Sequence, residues 1–154
     1  RLEPQPIKAV HIEQMDMAPG ATWFAYFGER HPSDPIDRHF HTTVRKGLHI
    51  VPADSTKKPQ FRELESGALR FSPDGRFLAI SSVHATTILR SSDWNVEKLI
   101  PNHSADTAAA LSAWSADGSL LAVGKGRDPV EIWRTSDWQR EMRLESQIHK
   151  IRPA

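Results

Sequence analysis

The chain has 154 residues, 38% hydrophobic and 25% charged, with 20 basic against 19 acidic side chains and a net charge of +1. This is the composition of a chain that can bury a core, not of a disordered tail. The balanced charge removes any global electrostatic argument for nucleic acid or an anionic membrane as partner. Cysteine is absent, which excludes a disulfide framework, a thiolate metal site and a cysteine nucleophile, and fits a reducing, cytoplasmic setting. No apolar run approaches the roughly 18 residues of a membrane span. The opening Arg1, Leu2, Glu3, Pro4 also lacks the apolar core of a signal peptide.

Taken in order, residues 1–8 read as an extended entry segment, because Pro4 and Pro6 oppose a helix. Ala9–Ile12 offers a short apolar strand, and the aromatic run Thr22–Phe27 a strand covered on both faces. Residues 28–43, with Pro32, Pro35 and alternating charge, read as a surface loop between second and third strands. Gly47–Val51 and Gln60–Leu64 supply the third and fourth strands, joined by a polar turn from Pro52 to Pro59.

The next stretch organises the rest. Leu69–Ser82 carries Phe71, Ser72, Pro73, Asp74, Gly75, and a second copy follows with Trp114, Ser115, Ala116, Asp117, Gly118. Phe71 to Trp114, Asp74 to Asp117 and Ala79 to Ala122 are each 43 positions apart, and the offset becomes 44 at Ile88 and Ile132. At an offset of 54, Met17, Pro19, Trp23, Phe24 and Ala25 fall on Phe71, Pro73, Phe77, Leu78 and Ala79, which marks a degenerate earlier copy. A period of roughly 40 to 45 residues with short apolar runs and Asp-Gly turns is the length of a four-stranded propeller blade. The second copy predicts strands at Ala68–Phe71, Arg76–Ser81, Thr86–Arg90 and Val96–Ile100. The third predicts Leu111–Trp114, Ser119–Val123, Val130–Trp133 and Gln139–Leu144. Against this, Asp106–Ala113 has helical composition. It is too short to hold a helix unaided, so the repeat register assigns its second half to a strand.

These residues resemble the WD-repeat β-propellers. The matches are Phe71–Gly75 followed by Phe77–Ile80, Trp114–Gly118 followed by Leu120–Val123, and Val130–Arg134. A related resemblance is to the propeller repeat of periplasmic and peptidase-associated proteins, which shares the Ser-Pro-Asp-Gly turn; Ile132 and Trp133 favour the WD-repeat. The resemblance implies an all-β incomplete propeller of about three blades: 9–66 a degenerate first blade, 67–101 a second, 102–145 a third, and 146–154 a tail or the start of another. Trp133-Arg134 stands where the family has tryptophan-aspartate, so its buried polar network is here reduced to His103, Asp128 and Trp133.

Propellers close with 4 to 8 blades, so three blades imply company: a longer parent chain, self-association or another subunit. The expected role is a non-enzymatic module docking other proteins on its rim and loop face, without cofactor, nucleic acid or membrane. The alternative is an accessory or substrate-gating domain of a larger enzyme. Loops between second and third strands would gather Arg30, Arg38, His39, His41, Lys125 and Arg127 into a patch for an acidic peptide or phosphate. His31, His39 and His41 with Asp34 and Asp37 form a weaker metal-binding candidate, without a standard ligand spacing. Asp74 and Asp117 read as turn formers rather than paired catalytic acids. Trp94 and Trp138, at one repeat register, would cover the outer edges of their blades.

Overall fold

The computed structural model describes residues 12–30, 45–102, 110–126 and 128–145. They form twelve strands in three antiparallel four-stranded sheets, each a meander in chain order. The first sheet holds β1 (Ile12–Met17), β2 (Trp23–Arg30), β3 (Arg45–Pro52) and β4 (Gln60–Arg62). The second holds β5 (Ala68–Phe71), β6 (Phe77–Ser81), β7 (Ala85–Arg90) and β8 (Val96–Pro101). The third holds β9 (Leu111–Trp114), β10 (Leu120–Gly124), β11 (Val130–Arg134) and β12 (Gln139–Leu144). The first strands β1, β5 and β9 neighbour one another in turn, so the sheets stack side by side as the blades of an incomplete propeller.

Backbone bonds show the repeat at each first turn. The Ala18, Ser72 and Ser115 amides donate to the carbonyls of Trp23, Phe77 and Leu120, at 2.9, 2.9 and 3.0 Å. The Ala21, Gly75 and Gly118 amides in turn donate to the carbonyls of Ala18, Ser72 and Ser115. The sequence offset of 54 is therefore a structural equivalence. In blades 2 and 3 the turn is braced by a serine and an aspartate: Ser72 Oγ donates to Asp74 at 2.6 Å and accepts from the Phe77 amide at 2.9 Å. Ser115, Asp117 and Leu120 repeat this at 2.6 and 2.9 Å. Blade 1 has Ala18 and Gly20 in those places, and Ala21 takes the left-handed φ of 54° that Gly75 and Gly118 adopt at 72°.

The first strand begins at Ile12 and runs to Met17, later than the strand expected at 9–12, of which 9–11 lie outside the described residues. The short apolar run drew the expectation forward, whereas the ladder from Met15 to Tyr26 and Met17 to Phe24 selects the more polar stretch beside the turn. The strand β2 also extends to Arg30, paired with Arg45, so Gly28–Arg30 belong to the ladder and not to the loop. Leu111–Trp114 is a strand despite its helical composition, because pairing with Leu121–Gly124 supplies the tertiary partner that propensity ignores.

Two apolar layers lie between the blades. The first joins Phe27, Leu48 and Ile50 of blade 1 to Leu69, Leu78, Ile80 and Leu89 of blade 2. The second joins Phe77, Ala79 and Ile88 of blade 2 to Leu121 and Val123 of blade 3. Successive side chains of a strand point to opposite faces, so Leu78 and Ile80 serve one layer while Phe77 and Ala79 serve the other. All five residues of β6 are consequently buried.

Each layer holds a tryptophan from the turn before the fourth strand. Trp94 meets Trp23 edge-on with ring centroids 5.0 Å apart, and Trp138 meets Phe77 in the same way at 5.2 Å. They are 2% and 7% exposed, so they wedge between blades instead of capping outer edges. The cause is local: both adopt positive φ, 60° and 53°, in turns closed by bonds to the Arg90 and Arg134 carbonyls.

Candidate interaction surfaces

Blade 3 has one face against blade 2 and one face that no described residue covers. Strand register places Ala113, Ala122, Ile132 and Met142 in one row across that second face. Leu111, Val130 and Leu144 lie beside the row, and Leu111, Met142 and Leu144 are 72%, 52% and 49% exposed. The corresponding face of blade 2, which is buried against blade 3, carries Arg70, Ala79, Ile88 and Lys98 in the same row. Three polar positions of that face, the exposed Arg70, the buried Thr86 and the half-buried Lys98, thus become Ala113, Val130 and Met142 on blade 3. The open face is the more apolar of the two.

On the opposite side of blade 1 three large apolar residues are exposed, while Tyr26 on the same side is buried. Met15, Met17 and Phe24 are 66%, 50% and 39% exposed there. By the offset of 54 they occupy the positions of Leu69, Phe71 and Leu78, which blade 2 buries against blade 1. Beside them Tyr26 stacks on His49 with ring centroids 4.6 Å apart, and Phe61 lies tilted against His49 at 4.9 Å. Exposed apolar residues occurring singly need no explanation, but a contiguous apolar sheet face marks an interaction surface.

Between blades 2 and 3 a cleft of about 270 Å³ opens beside Asn102, Lys125, Asp128, Glu131 and Arg140. Lys125, Glu131 and Arg140 are engaged internally. Lys125 is 5% exposed, and its ammonium donates to the Val83 carbonyl at 2.7 Å, tying blade 3 to blade 2. Arg140 donates to Glu131 at 2.6 Å, and the Asp128 amide to the Lys125 carbonyl at 2.8 Å.

Of the remaining cations expected on the loop face, Arg38, His39, His41 and Arg127 lie outside the described residues, as does the Arg30 side chain. The metal candidates His31, Asp34 and Asp37 and the network residue His103 lie outside them too. Trp133 packs against the second layer with the Lys98 ammonium 4.9 Å from its ring centre. Its buried Nε1 has no hydrogen-bond partner among the described residues.

The turn aspartates are held ionised by the hydrogen bonds that shape the turns. Ser115 and then Ser119 hold the Asp117 carboxyl down to about 2. For Asp74, partial burial pushes upward, but bonds from Ser72 and Arg76 outweigh it and the net direction is down. These groups are committed to folding, as their recurrence in the repeat suggests. Sequence reading missed the open faces; the signal was there, in the polar-to-apolar changes between repeats at Ala113, Val130 and Met142.

No protein-family model matches the chain, and no curated protein matches it. Among solved structures, that of U3-55K superposes with a TM-score of 0.64 at 12% identity, covering 92% of this chain and 41% of that one. At such identity the likeness is one of fold alone, and the fold is WD-repeat-like. The chain spans about two fifths of the length of that structure. No helix among the described residues is long and apolar enough to cross a membrane.

Proposed function

We propose that the chain is a non-enzymatic protein-interaction module that binds through an exposed apolar face of its blades. The observation that carries this reading is the open face of blade 3, where Leu111, Met142 and Leu144 stay in water at positions whose counterparts in blade 2 face another blade. Burying apolar surface contributes roughly 25 cal/mol per Å², so such a face gains more from a flat apolar partner than from a small polar ligand. Other proteins are accordingly the partners proposed, with no cofactor and no chemistry assigned to the turn aspartates. The likeness to a WD-repeat-like fold supports a scaffold role in general terms.

An apolar fluorescent dye tests the reading. The chain should bind it, and Met142→Asp with Leu144→Asp should remove most of the signal while leaving the β-sheet circular dichroism unchanged. A wild-type chain that binds no dye, with amides of β12 protected from exchange when the chain is fully dissociated, would show the face to be unavailable.

A further inference from the structure

We propose that the outer rim between blades 1 and 2 docks a short acidic and apolar segment of another protein, whose carboxylate pairs with Arg62 while its apolar side chains cover Val96 and Leu99. The site is distinct from the exposed face of blade 3. It lies at a junction whose two blades are both among the described residues.

The repeat itself marks the place. At the offset of 44, Thr87, Val96 and Leu99 of blade 2 correspond to Glu131, Arg140 and Arg143 of blade 3. The ladders agree, since Leu89 pairs with Val96 and Thr87 with Leu99, as Trp133 pairs with Arg140 and Glu131 with Arg143. Leu89 belongs to the layer between blades 1 and 2, as does Ile80 opposite Thr87, and cross-strand partners share a face. Val96 and Leu99 therefore look toward blade 1. At these positions blade 3 carries an internal ion pair, Arg140 donating to Glu131 at 2.6 Å. Blade 2 instead has two apolar side chains, 59% and 57% exposed.

A wall from blade 1 follows the strand. The Arg62 guanidinium donates to the Trp94 carbonyl at 3.3 Å, just before β8 begins, and the Glu65 carboxylate meets His84 Nδ1 at 2.9 Å. The His84 carbonyl accepts the Asn102 amide at 2.9 Å, just past the end of β8. Leu64, between the two anchors, packs on the first layer. Residues 62–65 thus lie along β8, fixed near both of its ends, and still leave Val96 and Leu99 in water.

Charge selects the guest. Glu97 pairs with Arg90 at 3.2 Å, and Glu65 with His84. Arg62 pairs with no carboxylate among the described residues, and its guanidinium bonds there only to the neutral Trp94 carbonyl. A guanidinium has five N–H donors in a fork that matches a carboxylate, so most of them remain for a partner. A half-buried arginine beside exposed valine and leucine suits an acidic residue flanked by apolar ones. A basic segment would meet like charge.

Fluorescence anisotropy provides the test, with a short labelled peptide of alternating leucine and glutamate, and one of leucine and lysine as its control. The acidic peptide should bind saturably and about tenfold or more tighter than the basic one. Leu99→Asp, at an exposed position, should raise its dissociation constant about tenfold or more, and Arg62→Glu should invert the preference between the peptides. If circular dichroism shows that Arg62→Glu misfolds, Arg62→Gln should abolish the preference. Met142→Asp with Leu144→Asp should leave the acidic peptide's affinity unchanged. No saturable binding, equal affinity for both peptides, or a preference that survives the change at Arg62 would each overturn the proposal. Binding lost in the blade 3 variant but kept in Leu99→Asp would assign the peptide to blade 3, sinking the rim site and leaving the interaction reading standing. A chain that binds the acidic peptide through Arg62 but no apolar dye would do the reverse.

Discussion

Blades 2 and 3 share a motif, a register and a turn, yet β6 is buried along its whole length while β10 is half open. The sequences at these strands, Phe77–Ser81 and Leu120–Gly124, are equally apolar. What differs is position in the stack. Among the described residues blade 2 has two neighbours and blade 3 one, so burial here is a property of the array and hydrophobicity a property of the repeat. An exposed Leu144 and a buried Ile100 carry the same instruction, one of them fulfilled within the chain.

Truncation breaks the comparison most strongly. Leu78→Ala and Leu121→Ala each empty a fully buried site and should cost about 2 to 5 kcal/mol in a denaturant melt. Met142→Ala on the exposed face should stay within about 0.5 kcal/mol. Equal losses at Leu121 and Met142 would mean that both faces of blade 3 are covered.

The turns allow a finer contrast. An added methyl group at Gly75 meets nothing closer than Pro19 at 3.8 Å, whereas at Gly118 it stands 2.8 Å from the Asp74 carboxylate. Gly75→Ala should cost about 1 to 2 kcal/mol from the left-handed conformation alone, and Gly118→Ala more, because Asp74 must also give way. Ala21→Gly should run the other way, stabilising blade 1 by roughly 0.5 to 1 kcal/mol as the strained φ is relieved against a more flexible unfolded chain.

The smallest effect is one of pH. The folded Asp117 carboxyl, held at about 2, lies below its ordinary 3.8, so its contribution is complete above that ordinary value. It disappears as pH falls through the folded one. Asp117→Asn should therefore flatten the loss of stability between about pH 4 and pH 2. An unchanged acid melt would mean that the Ser115 and Ser119 bonds do not hold the carboxylate.

The blades were legible in the sequence because the Ser-x-Asp-Gly turn recurs at a fixed offset and each residue of it has a structural duty. The first strand was less legible, because Ile12–Met17 alternates weakly and earns its place only by pairing. The wedge role of Trp94 and Trp138 was hidden because a tryptophan at positive φ is rare, and nothing local announces that the turn aims the ring between sheets. The candidate surfaces were the least legible. The two faces share one apolar pattern, and only the changes at Ala113, Val130 and Met142 set them apart.

Stacking in register is the claim beneath all of this, and a cross-link tests it most directly. Ser81 Oγ of blade 2 lies 2.9 Å from Ser112 Oγ of blade 3, and the chain has no cysteine of its own. Ser81→Cys with Ser112→Cys should oxidise rapidly to a disulfide within one chain, read by mass and by mobility without reductant. Ser81→Cys with Leu111→Cys should not, since Leu111 points to the other face. Thiols that stay free in the first pair, or an equally fast bond in the second, would contradict the stacking of blades 2 and 3.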